Sequence, residues 1–287
     1  MKNRAGGTGS KLSPARNRNT QDWKHILMGL LDGKVAIITG AGTGIGREAA
    51  LMFAAEGAKL VLAGRRIEPL NEVAEIIITN GGTAVARSTD LEDGDAAAAL
   101  GQWTLEEFGR VDILVNNAGH SSRAKSIRYV KPLDWDSVYR VNVEGVYRLT
   151  QSVVESMIEQ GSGTVITTSS YASLNPSLLG GSAYGAAKAA SHNMMRGINL
   201  ELNARGIRAT TIIPAEVDTP ILNNRPHKPD AAARATMMQP EDVAQAILLC
   251  ATMPGRTVVE EIVMKPTQPR DRTLDIAAAE KAGSPGT

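Results

Sequence analysis

Tyr184 and Lys188 stand four residues apart in Tyr184-Gly185-Ala186-Ala187-Lys188, a spacing that puts a phenol and an ammonium one turn apart on the same face of a helix. Such a pair can move a proton. A free phenol titrates near pH 10, and a cation held beside it favours the phenolate and brings the group toward the neutral working range. The reading therefore expects Lys188 to lower the pKa of Tyr184. A second chemical signal is Thr39-Gly40-Ala41-Gly42-Thr43-Gly44-Ile45-Gly46, placed directly after the apolar run Val35-Ala36-Ile37-Ile38 and before an alanine-rich helical pattern. A strand ending in glycines turns tightly, lets the backbone approach a pyrophosphate and aims the free N–H groups of the next helix at its charge. This context predicts a bound dinucleotide. Leu60-Val61-Leu62-Ala63-Gly64-Arg65-Arg66 follows roughly twenty residues later, and no acid stands there. A carboxylate at Gly64 would bond the ribose 2′-hydroxyl of NAD and repel a 2′-phosphate. Its absence beside Arg65 favours NADP(H), with NAD(H) as the alternative.

These groups need a scaffold that brings residues 39 to 188 together. Short β-branched runs at 34–39, 59–63, 83–88, 111–116, 163–168, 207–213 and 258–264 alternate with amphipathic stretches at 44–56, 67–80, 92–108, 133–160, 182–204 and 240–252. Repeated β-α-β with right-handed crossovers predicts an α/β fold, a doubly wound three-layer α/β/α sandwich on a parallel sheet of about seven strands, Rossmann-type. Ligands in such sheets bind beyond the carboxyl ends of the strands, where all the residues above fall.

The chain has 287 residues, of which 43% are apolar and 21% charged, which suits one large domain over residues 28–267. A net charge of +1 gives no field to draw it to nucleic acid or an anionic membrane, so a small-molecule partner is expected. The single cysteine, Cys250, excludes an internal disulfide and a thiolate-rich metal site; no metal is expected, and the usage fits a reducing, cytoplasmic setting. Residues 1–27 carry six basic residues against Asp22 among Gly, Ser, Asn and Pro, and read as a disordered extension ahead of a domain start at Met28. The end from about Gln268, rich in Pro, Ala, Gly and charge, reads as a flexible tail.

In order and spacing, the motifs from Met28 to Thr267 resemble the short-chain dehydrogenase/reductase family. The family's cofactor loop, with its G-x-x-x-G-x-G order, matches Thr39 to Gly46; its Asn-Asn-Ala-Gly matches Asn116-Asn117-Ala118-Gly119; its helix asparagine falls on Asn142, its serine on Ser170, and its Tyr-x-x-x-Lys on Tyr184 and Lys188. The resemblance implies an oxidoreductase that moves hydride between a nicotinamide and a carbonyl or secondary alcohol. Tyr184 would be its general acid and base, with Lys188 easing the phenolate and holding the nicotinamide ribose. Ser170 would bond the oxygen where charge develops, and Asn142 would anchor a proton-relaying water. Cofactor contacts are implied for Gly40, Thr43, Gly44, Ile45 and Gly46; for Asp90 and Leu91 at the adenine; for Asn117, Ala118 and Gly119; and for Pro214, Val217 and Thr219 beside Tyr184 and Lys188. A homodimer or homotetramer through helices 133–160 and 182–204 is implied too.

The chain departs from the family pattern in three places. Ser170 precedes Tyr184 by fourteen positions, whereas the common spacing of thirteen selects Tyr171; the alignment of Ser169-Ser170-Tyr171-Ala172-Ser173 favours Ser170, with Ser169 as fallback. Ala215 replaces a glycine after Pro214, removing freedom at φ > 0. The last strand, Val259 to Thr267, lacks the usual glycines. Two rival readings are an epimerase or dehydratase relative, which usually carries a larger C-terminal domain, and a catalytically silent NADP-binding sensor, which tends to lose the tyrosine or lysine. The substrate lid is expected at about 220–238, polar through Asn223, Asn224, Arg225, His227 and Lys228. His120, Ser121, Ser122 and Arg123 border the same region. Arg123 is read either as a partner for an anionic substrate or as solvated loop polarity.

Overall fold

Alternate residues of the first apolar run face opposite sides: Ala36 and Ile38 join one buried cluster, while Ile37 joins another. A strand buried on both faces needs helices on both sides, which a parallel sheet supplies. The computed structural model describes residues 29–286 and shows this arrangement. The expectations for residues 1–27 and for a start at Met28 lie outside the described residues. Seven parallel strands, β1 (Val35–Thr39), β2 (Lys59–Gly64), β3 (Thr83–Ser88), β4 (Ile113–Asn116), β5 (Gly163–Thr168), β6 (Ile207–Pro214) and β7 (Glu261–Met264), run in the order β3-β2-β1-β4-β5-β6-β7. The order reverses between β1 and β4, and a crevice opens there at the carboxyl ends of both.

One face is covered by α1 (Gly44–Ala55), α2 (Ile67–Thr79) and α8 (Pro240–Thr252), whose Phe53, Leu70 and Ile247 are all at most 1% exposed; the short α7 (Ala231–Ala235) precedes α8. The other is covered by α3 (Gly94–Phe108), α5 (Gly145–Glu159) and α6 (Ser182–Leu202), through Leu100, Leu149 and Met195. α4 (Pro132–Tyr139) runs into α5 through a π-helical turn at Arg140–Glu144, so the long helix expected at 133–160 is widened in its middle. Such turns are rare and gather at functional sites. Cys250 is buried in α8, as its apolar setting foretold.

Two differences from the sequence expectations concern the C-terminal third. β7 begins at Glu261 rather than 258, because the preceding residues touch β6 through single bonds, Thr211 N–H to Glu260 O and Thr210 Oγ1 to Val259 O, instead of a ladder. The segment after Gln268, expected to be loose, carries α9 (Thr273–Lys281) with Asp275 only 4% exposed. What holds it is charge rather than an apolar stripe. Arg270 donates to both oxygens of Glu216, at 2.7 and 3.1 Å, and to Asp275, which also pairs with His227 at 3.1 Å. No described helix is long and apolar enough to cross a membrane.

Candidate active site

The glycine loop leaves β1 against the end of β4. Gly40 and Gly44 take φ of +65° and +56°, which L side chains adopt only at a cost. A Cβ on Gly46 would lie 2.3 Å from the Gly40 carbonyl oxygen and 2.5 Å from Asn117 Nδ2, so only hydrogen fits where α1 crosses the strand end. Thr39 and Asn117 lock the two strand ends together: Thr39 Oγ1 accepts from the N–H groups of Asn117 and Ala118 at 2.9 and 3.0 Å, and Asn117 Nδ2 donates to Thr39 O at 3.0 Å. The N-cap Thr43 makes no side-chain cap bond and the first turn of α1 holds no acid, leaving its N–H groups open to an anion. This cradle fits a pyrophosphate.

Beyond the loop lies a cavity of 330 Å³. Gly40, Thr43, Gly44, Ile45, Asn117, Ala118, Gly119, Ser170, Tyr184, Lys188, Pro214, Val217 and Thr219 all line it. A second cavity of 420 Å³ shares Gly40, Thr43, Ala118 and Gly119 and adds Arg65, Asp90 and Leu91. Gly46 and Asn142 line neither and sit directly behind the walls. The implied positions, scattered over residues 40 to 219, are thus brought to one crevice.

Tyr184 lies in the first turn of α6, and burial raises its pKa above the ordinary phenol value. A hydrogen bond from Ser170 and the charge of Arg225 act in the opposite direction. The expected lowering by Lys188 is not found, because removing a phenolate from water costs more than these neighbours return. Lys188 Nζ sits 5.6 Å from the Tyr184 ring centroid and donates to Thr168 O at 2.7 Å; burial drops its pKa to about 8. The two serines are separated by direction. Both line the cavity, but the buried Ser169 donates to the Lys188 carbonyl at 3.1 Å, whereas the Ser170 hydroxyl accepts from Ala172 N–H at 3.2 Å and acts to lower the Tyr184 pKa. The extra residue between serine and tyrosine is absorbed in a 3-10 turn at Tyr171–Ser173 and the loop to Gly181, whose φ is +85°.

Asn142 occupies the π-helical turn and is fully buried. Its Nδ2 donates to Val138 O and His120 O at 2.8 and 2.9 Å, while its Oδ1 bonds nothing among the described residues. A Cβ placed on Gly119 would meet that Oδ1 at 2.6 Å and Lys188 Nζ at 3.1 Å, so both atoms face one small space. Ala215, in place of the family glycine, is held by the sheet edge: its N–H donates to Met264 O at 2.8 Å.

A family model described as short chain dehydrogenase matches residues 34–230. The chain belongs to the short chain dehydrogenase family. An uncharacterized oxidoreductase of Staphylococcus aureus (strain USA300) is 35% identical over 240 residues, covering 83% of this chain and all of that one. A metagenomic short-chain oxidoreductase solved in complex with NADP superposes with a TM-score of 0.73 at 32% identity, over 83% of this chain and 100% of its own. A 7α-hydroxysteroid dehydrogenase complexed with NADH and 7-oxo glycochenodeoxycholic acid does so with a TM-score of 0.76 at 31% identity, over 83% and 96%. The chain is thus a short chain dehydrogenase, an oxidoreductase family whose members act on CH–OH and C=O groups of small molecules with nicotinamide cofactors.

Within this short chain dehydrogenase, the substrate side differs from the sequence expectation. Of the polar lid residues only Arg225 lines the cavity; Asn223 accepts from Arg234, and His227 turns to Asp275. The excursion after β6 is pinned where Val217 bridges Met238. His120 lines the second cavity, Ser121 the first, and Ser122 bonds Ala124 O. Arg123 is exposed and lines neither cavity. Two residues on, Lys125 is 2% exposed and does line the first cavity. Sequence reasoning passed over Lys125 because its loop has no periodicity to say which side chain points inward.

Burial lowers the Lys125 pKa from 10.5 to about 8. A lysine whose folded pKa is depressed destabilises the fold below that value, and the penalty fades as pH rises from about 8 to 10.5. Lys125→Met is therefore expected to be more stable than the parent at pH 7 by on the order of 3 kcal/mol. The two should converge by pH 10.5, the ordinary lysine value. Urea denaturation at pH 7, 9 and 10.5 measures this; a variant less stable at pH 7 would refute it.

Proposed function

We propose that this chain reduces a carbonyl, or oxidises the corresponding secondary alcohol, with NADP(H) preferred over NAD(H). The carrying observation is that Tyr184, Ser170 and Lys188 line the same cavity as the glycine cradle. When bound, the nicotinamide supplies or accepts the hydride. Tyr184 Oη gives its proton to the carbonyl oxygen during reduction and takes one from the hydroxyl during oxidation. A phenol kept protonated by burial is suited to the first role. Ser170 donates to the same oxygen as charge develops there, a kind of contact typically worth about 3 kcal/mol. Lys188 would bond the ribose hydroxyls. Asn142 Oδ1, aimed at the space before Lys188 Nζ, holds the water that returns a proton to that amine. Gly40, Thr43, Gly44, Ile45 and Gly46 form the pyrophosphate cradle, Asp90 and Leu91 border the adenine, and Pro214, Val217 and Thr219 meet the nicotinamide end.

Arg65 supplies the preference. It lines the second cavity and touches Glu92 at 3.7 Å while 62% exposed, a pairing weak enough to yield to a 2′-phosphate. Arg65→Ala is expected to weaken NADPH binding by about tenfold or more, with NADH binding changed less than about threefold. Fluorescence titration of both cofactors measures this, and a parent that prefers NADH contradicts it.

Homodimers or homotetramers through α5 and α6 are part of the same reading. A panel of ketones and alcohols followed by nicotinamide absorbance tests the function. Oxidation of NADPH by at least one ketone class is expected; tight NADPH binding with no turnover of any member would sink the proposal and favour a silent sensor.

A further inference from the structure

Lys125 is an ammonium placed where a protein has reason to avoid one. It is 2% exposed, and among the described residues it makes no ion pair; its Nζ donates only to Ser121 Oγ, at 2.8 Å. Buried lysines without a carboxylate cost stability. The backbone is fixed as firmly as the charge. Lys125 O accepts from Ser182 N–H at 3.0 Å, and a Cβ on Gly181 would meet Lys125 Cα and Cδ at 3.0 Å. The lysine is therefore anchored to the first turn of α6, the turn that carries Tyr184.

The charges around it are unbalanced. Lys125, Lys188, Arg225 and Arg272 line the cavity against one carboxylate, Glu216. Glu216 is already shared between Arg225 at 2.7 Å and Arg270, and cannot serve Lys125 as well. The charge of Arg225 acts on both the Lys125 amine and the Tyr184 phenol. Lys125 and Ser121 line only the cavity that contains Tyr184, away from the one that contains Arg65.

The geometry points to Lys125, assisted by Ser121, as the anion-binding end of the substrate site, which makes the substrate an oxo acid or hydroxy acid whose carboxylate meets Lys125 while its carbonyl or hydroxyl meets Tyr184. This rests on the reductase reading above. The carboxylate would supply the partner that the fold withholds from Lys125, so the stability lost to the buried ammonium is regained on binding.

The test compares a series of linear oxo acids with their methyl esters, in the parent and in Lys125→Met. In the parent, kcat/KM for the best acid is expected to exceed that for its ester by about tenfold or more, carried mostly by KM. In Lys125→Met the acid should lose this advantage, with the Kd for NADPH unchanged within about twofold. A second readout uses the Tyr184→Phe protein saturated with NADP⁺, whose Tm should rise with the acid and not with the ester. An advantage that survives in Lys125→Met, or a parent that turns over acid and ester equally well, overturns the proposal. So does a weakened NADPH Kd in Lys125→Met, which would assign the lysine to the cofactor. An acid-specific Tm rise without turnover of any carbonyl would support the anion site and overturn the reductase reading alone.

Discussion

Tyr184→Phe is expected to lower kcat for carbonyl reduction by about 10³-fold while leaving the Kd for NADPH within about twofold of the parent. The substitution removes one oxygen and keeps the ring, so its packing beside Val138, Ala183 and Ala187 is preserved. What disappears is the proton donor and the partner of the Ser170 hydroxyl. The two effects separate because the cofactor cradle is built from backbone and glycine, which the substitution leaves untouched. Steady-state kinetics with fluorescence titration decides it. A variant that retains more than about a tenth of parental kcat would give the proton transfer to another group.

The second large effect is expected at Gly46. A Cβ there would lie 2.3 Å from the Gly40 carbonyl oxygen and 2.8 Å from its carbon, both backbone atoms with nowhere to go. Gly46→Ala must push α1 away from the end of β1. It should cost about 2 kcal/mol in stability and weaken dinucleotide binding more than about tenfold. Gly197→Ala is the control: it lies in α6, and its added Cβ meets nothing within 4 Å. That change should stabilise slightly, since alanine favours a helix over glycine by roughly 0.5–1 kcal/mol. Urea denaturation and fluorescence titration of both variants test the contrast. Equal behaviour of the two would mean that the close approach at Gly46 carries no weight.

The sheet was legible because its strands are buried on both faces. Runs such as Val35–Ile38 and Leu60–Ala63 are apolar throughout and rich in β-branched residues or bounded by turn residues, as buried strands are. Glycine positions were equally readable, because the demands at Gly40 and Gly46 come from local turns and one close crossing. The misreadings share a cause: each depends on partners remote in sequence. α9 looks unstructured by composition and is held by Arg270 to Glu216, 54 positions away. Tyr184 has its cation at the right spacing, yet the direction of its pKa is set by how much of the molecule covers it. Arg123 and Lys125 are both cations in one short loop, and only the folded chain shows which of them faces the cavity. Even the π-helical turn at Asn142 left no mark in the pattern, since one widened turn hardly alters an amphipathic period.

The central claim is that this cavity brings a nicotinamide and a carbonyl together beside Tyr184. Incubation with NADPH deuterated at the transferable C4 position, an accepted ketone or oxo acid, and the parent protein tests it most directly, with the product analysed by mass spectrometry. One deuterium on the carbinol carbon of the product, absent when Tyr184→Phe replaces the parent, is the result predicted. NADPH that binds yet leaves no deuterium in any product, or label delivered equally well by Tyr184→Phe, would contradict the account.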